Sequence, residues 1–343
     1  MPLKLTREQR EEARKLLAAG SDPSTQRKVE LTVQGDTFAA VALEWLDMQS
    51  KAIDARTFIK KKGRFEDFAF PYLGNTPISH IKSPELLALL RKIEVRGKHE
   101  TAHRVRSECA AVFRFAIATG RLERDPSLSL RGALAPVVVK NRPAITDPIR
   151  IGELLRAIDG YRGYLPTEVA LKLLPLTFVR PGELRLAQWP EFDLKNAEWR
   201  IPAARMKMRE QHIVPLSTQA VALLRDLWPL TESGKYVFPS VLSSDRAISD
   251  NTLNAALRRL GFTGDEMVSH GFRSMASTCL NEQGWHPDLI ELQLAHAERN
   301  EVRSAYNRAQ RLAERRKMMQ AWADYLGTLK ESGTIARAPL EIG

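Results

Sequence analysis

The sequence predicts a mainly α-helical protein of two domains, with a small β-sheet or hairpin confined to the second. Three observations predict it. Apolar residues recur at helical spacing through residues 36–133 and again through most of 149–326. The stretch GALAPVVVKNRPAITDP contains three prolines and little periodicity, which marks a linker over 134–148. Two short strand-like runs, Glu198 to Ile201 and His212 to Pro215, flank the basic segment ARMKMREQ, as two strands would flank a charged hairpin tip.

Taken in order, residues 6–18 favour a helix that stops at Gly20, and a polar, Pro/Gly-punctuated linker follows. Residues 1–35 are too few for a domain. Asp36 is an N-cap candidate for a helix striped by Phe38, Val41, Ala42, Trp45 and Leu46. A second helix begins near Ala55 and carries the basic cluster Lys60, Lys61, Lys62 and Arg64. Ser83-Pro84-Glu85 is a start signal for a helix through Leu86 to Ile93. Ala102, Val105, Cys109, Val112, Phe113 and Ala116 stripe another that stops at Gly120. The second domain opens with helices near 150–159 and 164–176 and turns at Pro181-Gly182 before the two strands. Helical patterns resume after Ser217 and continue through 249–261, 270–283, 287–295 and 301–325. The tail from Gly327 reads as frayed or loosely packed.

With 43% hydrophobic and 27% charged residues among 343, the chain fills ordinary cores and is not disordered throughout. Its net charge of +11 favours a polyanionic partner such as nucleic acid. The excess is uneven: residues 1–144 hold 26 Lys+Arg against 17 Asp+Glu, and residues 145–343 hold 26 against 24. Two cysteines, Cys109 and Cys279, make neither a disulfide framework nor a zinc site. No apolar run approaches the roughly 18–20 residues of a membrane span, and the charged start lacks the apolar core of a signal peptide, so a soluble intracellular protein is expected.

Nucleotide-binding loops, Rossmann glycine motifs, zincin helices, hydrolase elbows and paired CxxC motifs are all missing from the sequence. The chemistry that remains is basic and phenolic. Arg180 precedes Pro181 at a helix start, where free backbone N–H groups favour an anion; the plainer reading is a surface arginine paired with Glu183. Ser269 is an N-cap candidate, and His270 and Arg273 stand one turn apart, able to address one phosphate or simply to pack. Lys207 sits in the hairpin tip between Arg205 and Arg209, as a proton donor to a leaving oxygen or as a solvated charge. His296 lies ten residues before Tyr306, itself among Arg299, Arg303, Arg308 and Arg311. That tyrosine is either a nucleophile favoured by nearby cations or a packing residue beside Val302 and Ala309. A metal held by His270, His296 and Glu183 or Asp288 lacks any short ligand spacing to support it.

In this order, Arg180 in RPGEL, Lys207 in the basic hairpin, His270-x-x-Arg273, His296 in LAH and Tyr306 resemble the tyrosine recombinase family. TFVRPGEL, RMKMR followed by HIVPLS, and LAH followed by VRSAYNRA resemble prophage and genomic-island integrases that insert near transfer RNA genes. The resemblance implies an α-helical core-binding domain at 36–133, a catalytic domain at 149–326, a tail at 327–343, and a remnant of an arm-binding domain in residues 1–35. It implies that Tyr306 attacks a DNA phosphodiester to give a 3'-phosphotyrosine. Arg180 and Arg273 clamp the non-bridging oxygens, Lys207 protonates the leaving 5'-oxygen, His270 assists the tyrosine proton, His296 bonds the phosphate, and Glu183 supports the constellation.

The same resemblance implies no cofactor and no metal, double-stranded attachment sites as substrate, a homotetramer on DNA, possible accessory bending or excision proteins, and a bacterial cytoplasmic, nucleoid-associated location. Lys60, Lys61, Lys62, Arg64, Arg104, Arg106, Arg205 and Arg209 are the expected DNA contacts. Related integrases usually carry a complete arm-binding domain with a small sheet, whereas this chain starts near that domain's last helix. That short start motivates one alternative, a catalytically silent DNA-binding remnant; another, a type IB topoisomerase, shares the chemistry but matches the helical basic domain and the integrase-like phrases less well.

Overall fold

The computed structural model describes residues 36–137, 142–206, 209–296 and 311–332, so the expected arm-binding remnant lies outside the described residues. The chain divides into two compact units, residues 1–139 and 140–343. Among the described residues no helix is long and apolar enough to cross a membrane.

The first unit is helical. It contains α1 (Phe38–Ser50), α2 (Ala55–Arg64), a π-helical turn (Phe65–Ala69), α3 (Phe70–Leu73), α4 (Ser83–Val95) and α5 (His99–Ala118). The predicted apolar stripe of α1 is buried throughout, and Phe38 lies 5.7 Å from Phe113 and 6.1 Å from Phe65, ring to ring. Thr37, not Asp36, caps α1, accepting from the Ala40 N–H at 3.4 Å. Asp36 instead pairs with Arg121 at 3.1 Å. Gly120 ends α5 in a left-handed conformation (φ 76°), so that the Arg121 N–H reaches Ala116 O at 2.9 Å and closes the last turn. Arg64 is turned inward, its guanidinium bound to the carboxylate of Glu108 on α5 with both side chains largely buried.

The second unit begins with α6 (Pro148–Asp159) and α7 (Leu165–Thr177), followed by α8 (Pro181–Arg185). Strands β1 (Phe192–Asp193), β2 (Glu198–Ile201) and β3 (His212–Pro215) form an antiparallel sheet in that order, with Trp199 opposite Val214 and Ile201 opposite His212. After α9 (Thr218–Thr231), a separate hairpin of β4 (Pro239–Ser240) and β5 (Ser243–Ala247) precedes α10 (Thr252–Arg259), α11 (Gly271–Glu282), α12 (Pro287–Leu294) and α13 (Leu312–Ser332). α7 is the central helix, with Ala170, Leu171, Leu173 and Leu174 fully buried. α13 packs on α6 and α7, where Trp322 donates to Pro175 O at 2.9 Å and meets the Phe178 ring edge-on at 6.2 Å.

Besides the Asp36 cap, two further expectations need correction, and one element is not foreseen in the sequence. The β4–β5 hairpin is absent from the sequence reading because β5, Ser-Ser-Asp-Arg-Ala, has no buried face and hence no alternation to read. Ser269 does not cap α11; it is buried, its N–H donates to Asn254 at 2.8 Å, and His270 takes the cap position. Gly327 does not loosen the C-terminal end, since the helix continues to Ser332. There Arg156 satisfies the carbonyl of Lys330 at 3.0 Å and Lys330 pairs with Asp159 at 2.7 Å, which holds the last turn on α6. Gly152 allows that approach, because a Cβ there would stand 2.4 Å from Leu329 O.

Candidate active site

Two arginines, two histidines and two carboxylates converge where α7, α11 and α12 end or begin. α7 stops at Phe178, which adopts a left-handed conformation (φ 39°) and swings the chain into Val179, Arg180 and α8. Arg180 is the N-cap of α8. Glu183, one turn on and buried, accepts from the Arg180 N–H at 2.9 Å and from its Nη1 at 2.7 Å. The pairing that the plainer reading foresaw is therefore present, and it aims the guanidinium: Nη2 donates to Ala295 O at 2.9 Å.

Arg273, in the first turn of α11, is buried. Its Nη1 donates to Phe178 O at 3.0 Å, and its Nη2 donates to Leu294 O at 2.6 Å and lies 3.1 Å from His296 Nε2. Burial pulls its pKa down to about 10, which leaves it charged at neutral pH. Ala295, the residue that closes α12, is also left-handed (φ 47°). Each arginine is thus held by the carbonyl of a non-glycine residue in a strained conformation, a cost tolerated where surrounding structure fixes it.

His296 stands between Arg273 and Glu291, whose Oε2 is 2.8 Å from Nδ1. His270 is half-buried, and burial, with Arg142, Arg273, Arg180 and His296 around it, lowers its pKa to about 4. It is neutral at physiological pH. Gly271 brings the chain in close behind it, since a Cβ there would meet Pro143 O at 2.4 Å. The assembly is a cationic cluster with one carboxylate fixing Arg180 and one holding His296, suited to an oxyanion with charge on two oxygens.

Lys207 and Tyr306 lie outside the described residues. Arg205, two positions before the lysine, is not a surface contact. Its guanidinium binds the Glu191 carboxylate and the carbonyl of Glu183, and Trp199 donates to the same Glu191 at 2.9 Å, so Arg205 ties the hairpin root to α8. Arg209 is exposed. In the first unit Lys60 is exposed, Lys61 lies 5.2 Å above the Trp45 ring, Lys62 pairs with Glu66 at 3.6 Å, and Arg104 pairs with Glu100 on an exposed face. Arg64 and Arg106 depart from the expected DNA-contact set: Arg64 is committed to Glu108, and Arg106 donates to Leu130 O at 3.0 Å. A lysine or arginine count cannot separate a solvated cation from one turned to an internal acceptor. Sequence reading also passes over Glu291, whose only signal is a carboxylate five residues before a histidine at a helix end.

The family model of the phage integrase central domain matches residues 38–133, and that of the phage integrase family matches residues 146–312. The chain is 40% identical over 338 residues to the integrase of Enterobacteria phage P4, covering 93% of this chain and 76% of that one. The chain belongs to the phage integrase family. It is a site-specific tyrosine recombinase of prophage type. A prophage integrase of Escherichia coli K12 is 37% identical to this integrase over 333 residues, covering 96% and 80% of the two chains. Among solved structures, the integrase fold is shared with a lambda integrase tetramer bound to a Holliday junction, at a TM-score of 0.64 and 18% identity over 88% of this chain and 89% of that one. It is also shared with the Tn1549 transposon integrase in complex with circular intermediate DNA, at a TM-score of 0.63 and 14% identity over 81% and 98%. All six candidate catalytic positions, Arg180 to Tyr306, fall within the matched 146–312.

Proposed function

We propose that this integrase cleaves and rejoins double-stranded DNA at attachment sites through a 3'-phosphotyrosine, and so integrates or excises a prophage or genomic island. The observation that carries the reading is the convergence of Arg180, Arg273 and His296 on the end of α12. A scissile phosphate at that cluster would exchange the carbonyls of Leu294 and Ala295 for its own non-bridging oxygens as partners of the two guanidiniums. Tyr306 forms the new P–O bond, the bond to the 5'-oxygen breaks, and Lys207 gives that oxygen its proton. His270 takes the tyrosine proton. Its low basicity without DNA comes from burial and surrounding cations, and the bound phosphate offsets the cations, raising its pKa as the reaction requires. Arg180 and Arg273 stabilise the pentacoordinate phosphorane, Glu183 fixes Arg180, and His296 bonds the phosphate. The ester conserves the bond energy until a different 5'-hydroxyl reverses the steps.

On DNA the active assembly is a homotetramer, joined where direction demands it by accessory bending or excision proteins, and it works on the bacterial nucleoid in the cytoplasm. Lys60, Lys61, Lys62 and Arg104 of the first unit and Arg209 of the second remain the proposed phosphate contacts. The test is a denaturing gel of wild type and Tyr306→Phe on nicked duplexes tiling the two ends of the encoding element, with chelator present. A chelator-resistant adduct that Tyr306→Phe abolishes is expected; specific binding with no adduct by the wild type would overturn the reading.

A further inference from the structure

We infer that Gln293 and Arg315 form a positioning pair that holds the last turn of α12 where its carbonyls orient Arg180 and Arg273; this rests on the recombinase reading above. Both side chains are in the core, Gln293 fully buried and Arg315 2% exposed. From α13, Arg315 Nε and Nη2 donate to Gln293 Oε1 at 3.2 and 2.6 Å, and Nη2 also donates to Ile213 O on β3 at 2.7 Å. Gln293 Nε2 in turn donates to Thr177 O at 3.4 Å, and the Gln293 carbonyl accepts from His212 Nε2 at 3.1 Å. One residue further along, Leu294 O takes Arg273, and the next, Ala295 O, takes Arg180.

A single glutamine therefore links the end of α7, strand β3 and helix α13 to the turn on which both arginines are hung. These are the segments that lead to Arg180, leave the Lys207 hairpin, and follow Tyr306 in the chain. A buried guanidinium is a poor device for stability, because apolar residues of similar volume in place of buried charged groups often fold at least as well. What apolar residues lack is direction. The hydrogen bonds fix the rotation of the α12 end about its axis, and a displacement of about 1 Å at a reacting centre can cost on the order of 10²-fold in rate.

The test compares the full chain with the double variant Gln293→Leu/Arg315→Met and with Arg315→Lys. Three readouts are taken: thermal melting, anisotropy of a labelled duplex that the wild type binds, and single-turnover adduct formation on its nicked form. The double variant is expected to melt near wild type and bind the duplex normally, yet to form adduct about 10²-fold more slowly. Arg315→Lys keeps the charge but cannot span Gln293 and Ile213, so it should bind normally and react about tenfold more slowly. If the double variant folds and cleaves at the wild-type rate, the pair is core packing and the inference is overturned. If the double variant does not fold, a wild-type rate in Arg315→Lys overturns it and a slowed rate with intact binding supports it. A wild type that binds but forms no adduct brings down the recombinase reading and this inference together, and is told apart because the parent protein is itself inert.

Discussion

Arg273 Nη2 lies 3.1 Å from His296 Nε2, and that contact fixes which form of the imidazole is present. Arginine has only donors, so Nε2 accepts and the ring proton of the neutral form sits on Nδ1, donating to Glu291 Oε2 at 2.8 Å.

Glu291→Ala removes that support without touching either arginine. His296 and Glu291 are both about half exposed, so the loss is that of one modest charge-assisted hydrogen bond. Adduct formation should slow about fivefold with DNA affinity unchanged. Single-turnover rates and anisotropy on the same duplex check this, and an unchanged rate would show that Glu291 does not hold the ring.

The Arg64–Glu108 pair makes the opposite kind of prediction, about stability. Glu108→Ala leaves a largely buried guanidinium without its carboxylate and should cost the first unit about 3 kcal/mol. The double variant Arg64→Met/Glu108→Leu should recover most of it. Urea unfolding followed by fluorescence of Trp45, in a chain whose other five tryptophans are replaced by phenylalanine, separates this unit from the other.

Much of the architecture is legible in the sequence, and the reasons differ by element. α1 and α5 are striped at 3.6-residue spacing with large apolar residues, so their buried faces follow directly. β2 and β3 announce themselves because they flank a charged tip. The β4–β5 hairpin and the continuation of α13 past Gly327 are held by backbone pairing and by a distant Arg156, neither of which leaves a periodic trace. The same division runs through the site. Arg180, His270, Arg273 and His296 carry motif spacing, whereas Glu291, Gln293 and Arg315 matter through contacts between segments 22 to 116 residues apart or through one helix end.

Gly152 and Gly327 test the packing of that last helix. Gly152→Ala drives a Cβ into Leu329 O and should destabilise the second unit by about 1–3 kcal/mol. Gly327→Ala meets nothing within 4 Å in a helix interior and should stabilise it by about 0.5–1 kcal/mol. Melting temperatures moving in opposite directions check both.

His212 gives a pH dependence. Burial, with Arg315, Arg180 and Arg273 facing it, depresses its pKa from 6.5 to about 3, so between these values the unfolded chain binds a proton that the folded chain refuses. Stability is full above pH 6.5 and falls as the pH drops towards 3, with His212 contributing a slope of up to about 1.4 kcal/mol per pH unit. His270, depressed to about 4, acts in the same direction. Urea midpoints between pH 5 and 7.5 should rise with pH in the wild type and rise less steeply in His212→Asn.

The chemistry proposed for this integrase puts one tyrosine in covalent linkage with the DNA. Protease digestion and mass spectrometry of the adduct trapped on a nicked duplex identify the residue and the DNA end together. The expected product is a peptide bearing the nucleotide on Tyr306 through a 3'-phosphate, with a free 5'-hydroxyl on the released strand. An adduct on any of the other five tyrosines, or a linkage through a 5'-phosphate, would contradict it.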